Sequence, residues 1–364
     1  MTLDDCFSHS YGEARRKFID AAGGAGLLVE SKRHPERGRE GEDLAMDVAR
    51  EGDPSASKVL ILSSACHGVE GFCGSGVQVA ALQDREWREH ARRKGVAVLY
   101  IHALNPYGFS HIRRTTQENV DLNRNFHDFS KPLPQNAGYR ELHDLLFPRE
   151  WPPSKENDEA LAAWVAKNGQ MAYQAAISSG QHEYPRGMYY GGDSPTWSNR
   201  TLREVLRTHG RRAGRIAWID FHTGLGPSGL GERIFAGPDD PVQVARARSW
   251  WDGGGKTPVT SIYDGSSTSA KLTGMMWASA IEECPQAQYT GIALEYGTQP
   301  LLQVLHALRA EHWLEQHPEA PPQLAAQIKQ QMLDAFYTDT PEWKRRIVEQ
   351  AREAMVQAVD GLAG

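Results

Sequence analysis

Three short apolar runs do most to limit what this chain can become: Val59-Leu60-Ile61-Leu62, Ile216-Ala217-Trp218-Ile219 and Gly291-Ile292-Ala293-Leu294. Runs of this length, rich in branched residues and alternating with longer helical patterns, read as strands buried on both faces. The fold class is therefore α/β, a mixed, mostly parallel sheet covered by helices. Further strands are expected near 96–103 and 233–236. An amphipathic helix is expected over 11–22, another over 74–94, and two more in the tail. The last carries Ile347, Ala351, Met355, Ala358 and Leu362 at helical spacing, a stripe that reads as a packed core face, with a subunit contact and hence a homo-oligomer as the alternative.

Each apolar run leads into residues that can do chemistry. The first is followed by Cys66-His67-Gly68-Val69-Glu70-Gly71, the second ends in Asp220-Phe221-His222, and the third ends in Glu295-Tyr296-Gly297. An imidazole and a carboxylate three residues apart make half of a zinc site. A catalytic zinc takes three protein ligands from a His/Glu set and keeps one position open. His67 alone reads as an ordinary loop histidine; beside Glu70, His222 and Glu295 it reads as a ligand. Cys66 reads as a small apolar filler, and the four cysteines, too few for a disulfide scaffold, as free thiols.

Composition narrows the classes of function. A formal net charge of −6 over 364 residues, with no long Lys/Arg run, excludes a nucleic-acid partner. No apolar stretch approaches the ~20 residues that span a bilayer, and the acidic start is unlike a signal peptide, so a cytoplasmic protein with no membrane partner is expected. The organisation expected is one catalytic domain over 1–320, with a proline-rich insertion or lid at about 129–200 around a helix at 157–178. Helices in 321–364 pack on it. Gly23-Gly24-Ala25-Gly26 follows a helix and lacks a preceding strand, so it reads as a helix stop, not a phosphate loop.

The stretch from Asn105-Pro106-Tyr107-Gly108 to Val120-Asp121-Leu122-Asn123-Arg124-Asn125-Phe126 adds three arginines, Arg113, Arg114 and Arg124, suited to carboxylate or oxyanion recognition. With these segments in this order, the HxxE pair first and Leu-Glu-Tyr-Gly last, the chain resembles the zinc carboxypeptidase (M14-like) superfamily. More narrowly it resembles its bacterial DUF2817-type branch, with aspartoacylase and succinylglutamate desuccinylase as distant relatives. The resemblance covers about residues 10–310 and implies a three-layer α/β/α fold. It implies one zinc ion per chain held by His67, Glu70 and His222, with Glu295 as general base and acid. Arg113, with Arg114 as the alternative, would face the oxyanion; Asn123 and Arg124 would grip a substrate carboxylate. The implied activity is hydrolysis of an amide bond in a small molecule or short peptide carrying a free carboxylate. Deacylation of an N-acyl amino acid is the alternative, and a catalytically silent zinc-containing binding protein is the alternative of another class.

Two departures accompany the resemblance. The interval between Glu70 and His222 is long, which the insertion accounts for, and the family's substrate-capping tyrosine has no counterpart, Tyr263 and Tyr289 standing at unmatched spacing. Asp220 would orient an imidazole if its strand stays regular. His182 and Arg186 are candidates for substrate contact from the insertion.

Overall fold

The computed structural model describes residues 2–252 and 258–364. Its strands are β1 (Val29–Arg37), β2 (Asp43–Glu51), β3 (Lys58–Ser64), β4 (Ala97–His102), β5 (Arg215–Ser228), β6 (Gly231–Phe235), β7 (Val259–Thr260) and β8 (Gln288–Gly297). They form one sheet in the order β1-β2-β4-β3-β5-β8-β6-β7. The central four, β4-β3-β5-β8, are parallel, β1, β2 and β6 pair antiparallel, and β7 runs parallel to β6. The mixed, mostly parallel α/β sheet expected from the sequence is what forms.

Helices cover both faces. In chain order they are α1 (Tyr11–Gly24), α2 (Gly71–Gln83), α3 (Arg85–Arg93), α4 (Pro106–Ser110), α5 (Ala137–Leu146), α6 (Lys155–Asn168), α7 (Gln170–Ser178), α8 (Trp197–His209), α9 (Pro241–Trp251), α10 (Ala278–Glu283), α11 (Leu301–Gln316), α12 (Pro322–Phe336) and α13 (Pro341–Ala363). Alternate residues of each central strand serve opposite layers. Leu60 and Leu62 of β3 and Ala217, Ile219 and Phe221 of β5 join a core with α1, α2 and α13. Val59 and Ile61, with Ile216 and Trp218, join a second core with α8 and α10. The stripe Ile347, Ala351, Met355, Ala358 and Leu362 of α13 is buried in the first.

The structure departs from the sequence reading where one residue changes the local backbone. The helix expected over 74–94 is two, α2 and α3, because the Asp84 side chain accepts the Trp87 amide at 3.0 Å and starts a new helix. The helix expected over 157–178 is α6 and α7, split at Gly169, whose φ of 92° suits glycine. The edge strand β1, Val-Glu-Ser-Lys-Arg-His-Pro-Glu-Arg, is charged and mostly exposed, so it carries no apolar alternation to read. β5 runs on to Ser228, which places His222 inside a strand and not at its end. The two helices expected in the tail are α12 and α13. No helix is long and apolar enough to cross a membrane among the described residues.

Candidate functional site

After β3 the chain turns at Ala65, whose φ is 58°, and a 3-10 turn over Gly68–Glu70 leads into α2. Gly68 is required there, since a Cβ would lie 2.1 Å from the Gly108 carbonyl carbon. The Asn-Pro-Tyr-Gly turn thus packs directly under the HxxE turn. The amides of Gly68 and Val69 donate to the carbonyls of Arg114 (3.1 Å) and Arg113 (2.8 Å), tying the arginine segment to the same turn. In the parallel ladder of β5 and β8, His222 stands beside Glu295 and Asp220 beside Ala293. Because β5 stays regular through this stretch, Asp220 and His222 share one face with Trp218.

These elements bring His67, Glu70 and His222 together, all buried. The two Nδ1 atoms lie 3.3 Å apart, Glu70 Oε1 is 2.8 Å from His67 Nδ1, and Glu70 Oε2 is 2.9 Å from His222 Nδ1. Zinc bonds of 2.0–2.1 Å in a tetrahedron separate ligand atoms by about 3.3 Å, so the donor set fits such an ion with small adjustments. The far side of each ring is also arranged for it. His67 Nε2 lies 3.3 Å from Asp121 Oδ1, and His222 Nε2 pairs with Asp220 Oδ2, whose other oxygen accepts from Ser63 Oγ at 2.5 Å. The carboxylate behind the His222 ring holds a proton on Nε2, while His67 Nε2 faces both Asp121 and the Arg114 guanidinium.

The electrostatics point the same way. Burial works against charge on Glu70, but His67 and His222 outweigh it and hold the carboxyl at about 2. Burial likewise disfavours a charged His222, yet Asp220 and Glu70 raise its pKa well above the usual imidazole value. Glu295 differs: burial, then the charge of Glu70, push it up to about 8, and its one side-chain hydrogen bond among the described residues is from the Leu225 amide at 2.9 Å. Three carboxylates that line one cavity, Glu70, Asp220 and Glu295, and Asp121 buried behind it, thus accompany two guanidiniums, Arg114 and Arg124. With neutral imidazoles, as ligation requires, negative charge is in excess and a dication would balance it.

The arginines separate. Arg113, the first choice for the oxyanion, lies outside the cavity: its Nε is 3.0 Å from Glu311 and its Nη1 3.1 Å from Glu315, both on α11. It is Arg114, in the bend that follows the turn at 111–112, that enters. Its Nε donates to Asp121 Oδ2 at 2.9 Å, and its Nη2 lies 2.7 Å from His67 Nε2. A guanidinium only donates, so His67 Nε2 accepts from Arg114 there, and Arg114 Nη1 lies 3.4 Å from Glu70 Oε1. Arg124 lines the same cavity; its Nε and Nη2 donate to the Ser178 carbonyl at 3.0 and 2.6 Å and its Nη1 to the Asn123 carbonyl at 2.8 Å. Asn123 Oδ1 accepts the Met276 amide at 2.9 Å, which leaves its Nδ2 to donate.

Other sequence candidates fall elsewhere. Cys66 neighbours Asp220 and His222, but burial and Asp220 raise its thiol far above the usual range, and His222 Nε2 is already engaged. His182 bonds the Gly192 carbonyl at 2.7 Å and Arg186 is exposed; neither lines the cavity. Tyr289 lines it, whereas the Tyr263 hydroxyl donates to the Gly237 carbonyl at 2.9 Å. The sequence reading missed Tyr189, from the loop before α8, and the apolar wall of Leu301, Val304, Leu305 and Leu308 on α11. Asp121 was legible as an acid between two arginines but not as the partner of His67.

Crystal structures of thrombin-activatable fibrinolysis inhibitor share this fold. One superposes with a TM-score of 0.52 over 98% of this chain and 74% of that one at 12% identity. The bovine protein, in complex with tick carboxypeptidase inhibitor, does so with a TM-score of 0.51 over 99% of each chain at 11% identity. Likeness at this identity is one of fold, and it is the carboxypeptidase-like fold that the ordered motifs imply. No curated protein sequence gives a significant match. The family described as "Protein of unknown function (DUF2817)" matches residues 7–350, and the chain belongs to that family.

Proposed function

We propose that the protein is a metal-dependent hydrolase that cleaves an amide bond in a small peptide-like substrate carrying a free carboxylate. The observation that carries this reading is the pairing of His222 with Glu295 across the β5–β8 ladder beside His67 and Glu70, three donors that could hold a metal next to a carboxyl with no salt-bridge partner among the described residues. His67, Glu70 and His222 would hold one zinc ion, which when bound supplies Lewis acidity toward a carbonyl oxygen and toward water.

The chain's own residues do the rest. Glu295, held near the functional pH range by burial and by Glu70, takes the proton of the attacking water and returns it to the leaving nitrogen, work worth about 10²–10⁴-fold. A dication beside it would lower its pKa further and favour the base form. Arg114 faces the charge that develops on the carbonyl oxygen. Asn123 Nδ2 and the remaining N–H groups of Arg124 position a carboxylate one residue beyond the scissile bond. The apolar α11 wall suits a hydrophobic group on the acyl side, which favours an N-acyl amino acid or a blocked dipeptide as the substrate form. A deacylase of the aspartoacylase kind would use the same clamp.

The test compares one substrate as free acid and as amide. Masking the carboxylate removes a charge-assisted contact and leaves a desolvated guanidinium, so kcat/KM should fall by at least about thirtyfold. Arg124→Ala should abolish the preference. Equal turnover of both forms by the wild type would make Arg124 a brace for Ser178 and sink the proposed substrate class.

A further inference from the structure

The segment between Arg124 and α8 has an arrangement the hydrolytic reading does not use. Tyr189 belongs to this proline-rich insertion, yet it lines the metal-side cavity and is only 7% exposed. Its ring lies against both substrate-facing arginines, with the Arg114 guanidinium carbon 4.8 Å and that of Arg124 5.6 Å from the ring centroid. Both distances fall within the range where a cation is attracted by the ring face. The hydroxyl hydrogen-bonds to no described residue, so the protein uses the ring and not the oxygen.

The backbone is held to put the ring there. Tyr189 has φ of 51°, a left-handed conformation that bulky residues avoid and that persists only where the surroundings impose it. The Gln181 amide donates to the Tyr189 carbonyl at 3.1 Å, and the Asp121 amide donates to the Tyr190 carbonyl at 2.7 Å. Asn119 Nδ2 donates to the carbonyls of Pro185 and Gly187, each at 3.0 Å. The other wall of Arg124 also comes from the insertion. The Ser178 carbonyl at the end of α7 accepts twice from its guanidinium, and Gly180, at φ of 102°, would place a Cβ 2.9 Å from Arg124 Cδ. Asn136 fastens that helix end by donating to the carbonyls of Ala176 and Gly180, both at 2.9 Å.

Asp121 is the leading attractive charge on both Arg114 and Arg124, and beside it the Tyr189 ring lies against both guanidiniums. We infer that Tyr189 is a positioning residue: its ring is the spacer that sets the distance between the oxyanion-facing Arg114 and the carboxylate-gripping Arg124. The insertion thereby fixes how far a substrate carboxylate can lie from the scissile carbonyl. The inference rests on the hydrolase reading for the roles of the two arginines, but the spacing itself can be tested without turnover.

Tyr189→Phe and Tyr189→Leu separate the ring from the hydroxyl. In the zinc-loaded protein, Tyr189→Phe should keep kcat/KM on the free-acid substrate within about threefold, while Tyr189→Leu should lose about tenfold or more. In Tyr189→Leu the preference for free acid over amide should also shrink severalfold, a ratio that partial unfolding alone does not change. Titration of the metal-free proteins with succinate, whose two carboxylates can span both guanidiniums, gives the second readout. Wild type and Tyr189→Phe should bind it alike and Tyr189→Leu about tenfold more weakly, with acetate binding equal in all three. Absence of turnover on every amide with the succinate pattern intact would defeat the hydrolase reading and keep the spacer. Tyr189→Phe as impaired as Tyr189→Leu, or Tyr189→Leu unchanged in succinate binding, would overturn the spacer.

Discussion

Arg113 and Arg114 are adjacent, both buried, and enter two charge clusters that differ in balance. Arg113 meets Glu311 and Glu315, and Lys329 Nζ approaches the same two carboxylates at 2.8 and 3.1 Å. Two acids face two cations there, away from the cavity. Arg114 instead joins Glu70, Asp121 and His67 at the cavity wall, where carboxylates outnumber guanidiniums and Glu295 has no salt-bridge partner among the described residues. A balanced buried cluster holds the fold, whereas one with more carboxylates than guanidiniums could accommodate a further cation.

The sharpest way to break this contrast is to remove a donor. His222→Ala should lose most of the bound metal and all measurable hydrolysis, whereas Glu295→Gln should keep the metal and lower kcat by about 10²–10⁴-fold with little change in KM. Elemental analysis of the two purified variants decides it, since metal lost with Glu295 would make that residue a ligand.

Next in size is the comparison of the two arginines themselves. Arg114→Ala should lower kcat by about 10²–10³-fold. Arg113→Ala should leave kcat/KM per folded molecule near wild type but cost about 3–5 kcal/mol in denaturant unfolding, because Glu311 is left buried with half its partners. A folded Arg113→Ala protein with activity as low as Arg114→Ala would show that the two clusters are not separate.

The smallest effect is on pH dependence. Glu295 titrates at about 8 in the folded protein against 4.5 for an ordinary glutamate, so between these values the unfolded chain binds fewer protons. Stability of the metal-free protein should therefore fall as pH rises from about 5 to 8, and Glu295→Gln should flatten that slope. Melting temperatures of both metal-free proteins across this range test it; parallel curves would mean that Glu295 is ionised throughout.

Much of the framework was legible because burial on both faces writes itself as continuous apolar strands. β3, β4, β5 and β8 fall where those runs are, and His67, Glu70, His222 and Glu295 follow from the polar residues that interrupt them. β1 was illegible because an edge strand needs no apolar alternation, and the breaks at Asp84 and Gly169 because each depends on one side chain or one dihedral. Asp121 could be seen as a carboxylate among arginines, but not as the group behind the His67 ring.

The sequence by itself determined the α/β class, the order of the motifs and which residue types are available to bind a metal, since these depend on local pattern and chemistry. Only the tertiary structure decided which of two adjacent arginines enters the cavity, that Asp220 stands behind His222, and that Tyr189 reaches the site from the loop before α8. Those outcomes depend on strand register, on backbone direction at single residues and on contacts between segments far apart in the chain. Spacing along a chain carries no record of how such contacts divide charge between one cluster and another.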